Sequence, residues 1–273
     1  MSGVLVVVGT PIGNLEDLSP RGAAALAAAD VIACEDTRRT GRLVTALGLG
    51  GARYLVVNEH TEADAADDVV AEIRAGHRVA LVTDAGMPGV SDPGERVVAA
   101  VAAAGLPMEV VPGPSAVATA VAVSGFGGGR FVFEGFLPRR GRARSERLAE
   151  IAVERRVVVV YESPHRLGAT LADMAEACGG RRRVLVAREL TKLHEELWRG
   201  TLDEAREHWT AARGEVVIVV EGAAPPAEPD DAEIAAAVSA EIAAGASKRD
   251  AARAVAERLG VARRRAYDAA LGG

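Results

Sequence analysis

The chain has 273 residues, 49% hydrophobic and 26% charged, with a formal net charge of −6. That length exceeds one average domain and leaves room for two cores. The acidic total announces no nucleic-acid binding, so any such surface has to be local. The two distant cysteines, Cys34 and Cys178, exclude a CxxC-type zinc site and a secreted disulfide scaffold. The opening MSGVLVVVG has no basic stretch, and no apolar run approaches the roughly 20 residues that span a bilayer. The expectation is a soluble, cytoplasmic protein with no metal and no membrane contact.

Residues 4–8 are a continuous β-branched run and read as a buried strand. They lead into GTPIGNLEDLSPRG (9–22), which is neither GxGxxG nor GxxxxGK[ST], so dinucleotide-fold and P-loop readings fail at their best location. Ser19 reads as an N-cap with Pro20 at the first helical position of a helix over 21–29. A short strand, 31–34, ends in Glu35-Asp36-Thr37-Arg38-Arg39-Thr40. Two acids and two arginines at a strand end are either a site or a self-paired surface cluster. A helix to residue 47, a strand over 54–57 and a helix over 63–75 follow. His60, after the second of these strands, reads as a surface histidine rather than a ligand.

The stretch VALVTDAGMPGVSDPG (79–94) organises the first half. Its strand, 79–82, breaks into a loop carrying Asp84 and Asp92, with a helix over 95–104 beyond. Such a loop at the carboxyl end of a parallel strand is where open α/β sheets bind ligands. Gly86, Gly89 and Gly94 let backbone approach a ligand, and Pro88 and Pro93 stiffen the path. Asp84 offers acceptors to ammonium, hydroxyl or amide donors, while Asp92 and Pro93 are assigned to shaping the loop and starting the helix. A strand over 108–111 then enters PGPSA, where Ser115 caps a helix over 117–124. The βαβαβαβαβα pattern predicts a largely parallel sheet with helices on its faces.

GFGGG (125–129) is the expected boundary between domains. Beyond a strand over 131–134, Arg139, Arg140, Arg142, Arg144 and Arg147 stand against Glu146 alone, as either a solvated loop or a phosphate-contacting surface. Strands over 157–161, 184–187 and 216–220 alternate with helices over 167–177 and 203–212, with mixed strand directions expected. A Pro/Ala linker (222–230) precedes helices over 231–244, 248–259 and 261–271. Residues 248–265 carry seven basic and two acidic side chains, a local +5, and Gly260 makes a helix-turn-helix conceivable. The resulting division is an α/β domain at 1–124, a second at 130–221, and a basic helical tail at 231–273.

Eight stretches in order, GTPIGNLEDLSPRG, EDTRRT, TDAGMPGVSDPG, VPGPSA, EGFLPRRG, YESPHR, ARELTKLHEE and GEVVIVVEG, resemble the ribosomal RNA small subunit methyltransferase I family. That family is a bacterial branch of the tetrapyrrole methylase-like superfamily. The resemblance implies two α/β domains with an S-adenosylmethionine cleft between them, plus a C-terminal helical segment. It also implies a homodimer that methylates the ribose 2′-oxygen of a cytidine, cytidine 1402, in the decoding region of 16S rRNA in the 30S subunit. By similarity, Pro11, Asp84, Ala85, Gly86, Met87, Ser115, Ala116, Ser163, Ala187 and Val217 hold the cofactor. Met87 departs from the threonine of relatives and removes a hydroxyl. Glu35, Asp36, Glu189 and Lys192 are candidates for assisting the reaction, each with a structural salt bridge as its alternative. RNA contacts would come from Arg38, Arg39, Arg139, Arg140, Arg142, Arg144, Arg166, Arg263 and Arg264. The other readings are a methyltransferase of the same fold acting on a tetrapyrrole or protein side chain, and a DNA-binding regulator working through the C-terminal helices.

Overall fold

The computed structural model describes residues 3–127, 129–225 and 228–271. In the first sheet β1 (Val4–Val8), β2 (Val31–Cys34), β3 (Arg53–Val56), β4 (Arg78–Leu81) and β5 (Met108–Val111) run parallel in the order β3-β2-β4-β1-β5. Parallel neighbours need crossovers, which α1 (Pro20–Ala27), α2 (Thr37–Ala46), α3 (Glu62–Arg74) and α4 (Glu95–Ala103) supply. Side chains along β1 alternate between two cores. Leu5 and Val7 pack with Val69, Ile73, Val97 and Val101, while Val4, Val6 and Val8 pack with Leu26 and Val44. Both faces are covered, which is why these strands are unbroken apolar runs. Ser19 accepts from Gly22 N–H at 3.0 Å, and Pro20 opens α1 as its fixed φ favours.

The second sheet holds β6 (Phe131–Phe136), β7 (Val157–Glu162), β8 (Arg183–Arg188), β9 (Glu196–Thr201) and β10 (Val216–Val220), ordered β6-β7-β10-β8-β9. Only β6 and β7 are parallel; the other pairs are antiparallel, so strand directions are mixed as expected. β9 was not anticipated. It is an edge strand paired with β8 alone, and half-exposed ELWRGT has no buried face to imprint an apolar run. One face of the sheet packs on α6 (Arg142–Val153), α7 (Leu167–Cys178) and α8 (Leu202–His208) around Met174, Ile218 and Trp209.

The opposite face receives α5 (Ala116–Ser124), whose Val117 and Ala120 meet Val159, Leu185, Val217 and Val219. Although α5 precedes the glycine-rich 125–129 segment, it therefore packs on the second sheet. Compactness divides the chain at Ala223, into Met1–Ala223 and Ala224–Gly273, with both sheets in the first unit. Gly128 of the glycine segment and Pro226 and Ala227 of the linker lie outside the described residues.

In the second unit α9 (Asp231–Ala243), α10 (Lys248–Leu259) and α11 (Arg263–Leu271) enclose Ile234, Val238, Ala251, Val255, Ala266 and Ala270. Asp230 and Glu233 form a reciprocal capping box, and Ser247 caps α10 by accepting from Asp250 N–H at 3.1 Å. Gly260, at φ 67°, ends α10 in the left-handed conformation common at helix C-termini. Among the described residues, no helix is long and apolar enough to cross a membrane.

Candidate active site

Loops from the carboxyl ends of β1, β2, β4 and β5 meet Phe136 at the end of β6 and loops following β7 and β8 and preceding β10 around a cleft of about 400 Å³. That volume falls within the roughly 300–1,000 Å³ of small-molecule sites. On the first sheet the loops are bolted together through backbone. Thr10 N–H donates to the Gly86 carbonyl at 2.9 Å, and Gly86 N–H returns a bond to Thr10 at 3.1 Å. The Thr10 hydroxyl is buried and donates to the Thr83 carbonyl at 3.0 Å. Behind this bridge Gly9 and Gly113 touch backbone to backbone: a Cβ on Gly9 would lie 2.6 Å from the Gly113 Cα. Only glycine allows the first loop and the Pro-Gly-Pro turn to come that close.

Nine of the ten positions carried over as cofactor contacts line this cleft: Asp84, Ala85, Gly86, Met87, Ser115, Ala116, Ser163, Ala187 and Val217. Pro11 does not; its neighbour Ile12 occupies that place. Ser115 also caps α5, its hydroxyl accepting from Ala118 N–H at 3.5 Å. Sequence reasoning left out Asp92, Phe136 and Tyr161 as lining residues, while the carried-over 214–217 segment does line the cleft. Tyr161 stands edge-on to Phe133 at 4.8 Å and to Phe136 at 5.7 Å, forming an aromatic wall.

The electrostatics of the cleft are dominated by acids. Glu35, Asp84, Asp92, Glu162 and Glu215 line it, with Arg39 the one cation among the described lining residues. Burial, then the charge of Asp84, raises the Glu35 carboxyl above its ordinary value. Burial likewise raises Asp84, although Arg39 beside it pulls the other way. Arg39 Nη1 lies 3.4 Å from Asp84 Oδ2, while Asp84 Oδ1 is buried with no hydrogen-bond partner. Asp92 is pushed up to about 7 by burial and by the charges of Glu35, Asp84 and Glu215. Tyr161 is pushed up to about 12 by burial and by Asp92. A cavity of this kind attracts a cation and repels phosphate.

The four residues nominated for chemistry separate. Glu35 lines the cleft. Asp36 does not: it caps α2, accepts from Arg38 N–H, and is held near 2 by the Arg38 guanidinium. Glu189 and Lys192 form a pair at 2.8 Å, Lys192 also reaches Glu215 at 2.7 Å, and neither lines the cleft. They tie together the loops that carry Leu190 and Glu215, which is the salt-bridge alternative.

The nominated arginines separate too. Arg139 and Arg140 are exposed with no carboxylate partner among the described residues. Arg38 is exposed but paired with Asp36, and Arg142 with Glu146. Arg144 belongs elsewhere. The run 139–147 is not a loop throughout, because α6 begins at Arg142 and turns Arg144 inward. Arg144 is 9% exposed and donates to Asp173, the Thr170 hydroxyl and the Pro138 carbonyl at 2.8–3.0 Å. Thr170 in turn donates to buried Glu162 at 2.6 Å, whose other oxygen accepts from Ser163 N–H at 2.8 Å. Arg166 joins this network through Glu162 at 3.4 Å and the Leu137 carbonyl. In the second unit Arg263 and Arg264 are exposed and face Glu257 and Asp268. Among the described residues no group of three or more His, Cys, Asp or Glu side chains is placed to hold a metal ion.

The sequence pattern of the tetrapyrrole (corrin/porphyrin) methylases matches residues 4–206. The chain belongs to this family. Among its family relatives, ribosomal RNA small subunit methyltransferase I of Mycobacterium tuberculosis (strain CDC 1551 / Oshkosh) is 47% identical over 274 residues, covering 99% of this chain and 95% of that one. The protein of the same name from Synechocystis is 40% identical, covering 98% of both chains. That of Thermotoga maritima is 45% identical over 222 residues, 81% of this chain and 99% of its own. Among solved family folds, the methyltransferase CobJ superposes with a TM-score of 0.63 at 24% identity, covering 82% of this chain and 95% of that one. A uroporphyrin-III C-methyltransferase from Thermus thermophilus, solved with S-adenosylhomocysteine, gives 0.57 at 19% identity, covering 80% of this chain and 96% of that one.

Proposed function

We propose that the chain transfers a methyl group from S-adenosylmethionine to the ribose 2′-oxygen of a cytidine, cytidine 1402, in the decoding region of 16S rRNA. The observation that carries this reading is the near-full-length identity to proteins named for ribosomal RNA methylation, 47% over 99% of the chain. The cleft suits the cofactor on its own terms. The partnerless Asp84 Oδ1 is an acceptor in want of a donor, and the surrounding acids favour a cation. When bound, S-adenosylmethionine supplies a methyl group already activated by its positive sulfur.

The residues of the chain then have distinct tasks. Asp84 and the backbone of Ala85, Gly86 and Met87 hold the cofactor from the first sheet; Ser163, Ala187 and Val217 close on it from the second. Ile12, Ala116, Leu190 and Val217 give apolar walls that exclude water. Fixing two reactants in line accounts for a large part of such an acceleration, through entropy removed before the reaction. The acid-lined interior repels phosphate, so the RNA backbone is engaged outside it, by the exposed Arg38, Arg39, Arg139, Arg140 and Arg142 and by the second unit. A homodimer in the cytoplasm completes the reading. The test is to map ribose methylation in 16S rRNA from cells with and without this gene. Loss of one 2′-O-methyl group at a decoding-region cytidine is expected, and an unchanged map overturns the proposal.

A further inference from the structure

Asp92 lines the cleft without a structural task of its own. The helix start it was expected to serve is held by another residue: Glu62 Oε1 accepts from Gly94 N–H at 2.7 Å and Arg96 N–H at 2.9 Å. Among the described residues the Asp92 side chain makes no hydrogen bond and no ion pair, yet it is half-buried and lines the cavity. Its neighbour Ser91 sits at φ 61°, a left-handed conformation that a non-glycine residue adopts at a cost. Other acids of the cleft are engaged. Asp84 pairs with Arg39, Glu162 accepts from Ser163 N–H and the Thr170 hydroxyl, and Glu215 binds Lys192, while Glu35 shares with Asp92 the lack of a side-chain hydrogen bond or ion pair among the described residues.

We propose that the Asp92 carboxylate accepts the proton of the ribose hydroxyl during methyl transfer, a role that rests on the reading of the chain as a ribose methyltransferase. The 2′-oxygen forms a bond to the methyl carbon as the carbon–sulfur bond breaks, and its electron pair leaves on sulfur. The hydroxyl proton passes to Asp92. A methylated ribose, a neutral thioether and a carboxylic acid result, and the acid returns its proton to water. The groups facing Asp92 suit it to this: burial and the carboxylates of Glu35, Asp84 and Glu215 hold its pKa at about 7, beside Tyr161 and with Arg39 as the cleft's cation. A base serves best when its pKa lies near the working pH, where an ordinary aspartate is too weak.

The test uses Asp92→Asn in the full chain, with two readouts. The first counts protons released on cofactor binding at pH 7, by calorimetry in buffers of different ionisation heat. A sulfonium settling near Asp92 lowers its pKa, so wild type should release about half a proton with S-adenosylmethionine and much less with the uncharged sulfur of S-adenosylhomocysteine. Asp92→Asn should release none while still binding both. The second is single-turnover methylation of 30S subunits against pH. The wild-type rate should rise about tenfold per unit up to the cofactor-lowered pKa of Asp92, below pH 7, and then level, and Asp92→Asn should lose on the order of 100-fold together with that inflection. Asp92→Glu should move the inflection rather than abolish it. Wild-type proton release and an unchanged pH profile in Asp92→Asn would overturn the assignment. A wild-type chain that releases the protons but leaves 16S ribose unmodified would instead overturn the functional reading.

Discussion

At the scale of single residues, the cleft is governed by what each carboxylate lacks. Asp84 has a buried oxygen with no donor, and a charge-assisted hydrogen bond to such an oxygen contributes about 1.5–3 kcal/mol. Asp84→Ala is therefore expected to weaken S-adenosylmethionine binding on the order of 10- to 100-fold by calorimetry; unchanged affinity would remove the loop from the site. Asp92 sets a stability dependence of unusual sign. Its folded pKa, about 7, lies above the ordinary value of 3.8, so between the two the folded chain binds more protons than the unfolded one. The stabilising contribution is full below about pH 4 and is lost as pH rises through 7. Asp92→Asn should accordingly melt higher than wild type at pH 8 and alike at pH 4. Comparing variant with wild type cancels the opposite contributions of Asp36 and Glu154, both held near 2 by arginine partners.

At the scale of elements, the arginine-rich run shows how a helix sorts one composition into two roles. Once α6 starts at Arg142, helical geometry sends Arg144 into the body of the second sheet's helices and leaves Arg142 outside. Arg144 anchors a chain of hydrogen bonds that ends at Ser163 on the cleft. Arg144→Ala leaves Thr170, Asp173 and a carbonyl without their donor, and should cost about 2–3 kcal/mol of stability, read from the urea midpoint. Arg139 and Arg140, exposed and without carboxylate partners among the described residues, should behave differently. Their joint replacement by alanine should leave stability unchanged, weaken RNA binding, and reduce the slope of log affinity against log salt by about 2.

At the scale of the whole molecule, the C-terminal 50 residues form their own compact unit with their own core. A cut inside it, at Arg249 for instance, would strip Ile234 and Val238 of their partners in α10 and α11, so the clean boundary is Ala223. The Thermotoga maritima relative, matched over 99% of itself but 81% of this chain, leaves unmatched a share about the size of that unit. The unit holds eight acidic against seven basic side chains, and the +5 stretch is offset within it, with Arg258 on Glu241 and Arg265 on Asp231. Truncation after Ala223 should preserve cofactor affinity and lower methylation of 30S subunits, most strongly at high salt. Undiminished methylation would show that the tail does not serve the RNA.

What the sequence determined by itself was whatever depends on neighbours along the chain. Apolar runs marked the strands buried on both faces, Ser19, Ser115 and Ser247 marked helix starts, and ordered motifs indicated the family. Six of the nine cleft-lining carried-over positions, Asp84 to Met87, Ser115 and Ala116, fall together because they follow strands of a parallel sheet, which gathers those ends on one edge; Ser163, Ala187 and Val217 come from the mixed second sheet. Contacts between distant segments were not legible. The edge strand β9 carries no apolar imprint, α5 takes its core from a sheet that comes after it, and Arg144 looks like its exposed neighbours until α6 turns it inward. Asp92 is the clearest case. Along the chain it is a plausible helix starter, and only folding brings Glu62 from α3 to take that task and sets three other carboxylates around it. Burial and charge proximity are properties of space, and they changed an ordinary loop aspartate into one that titrates near neutrality.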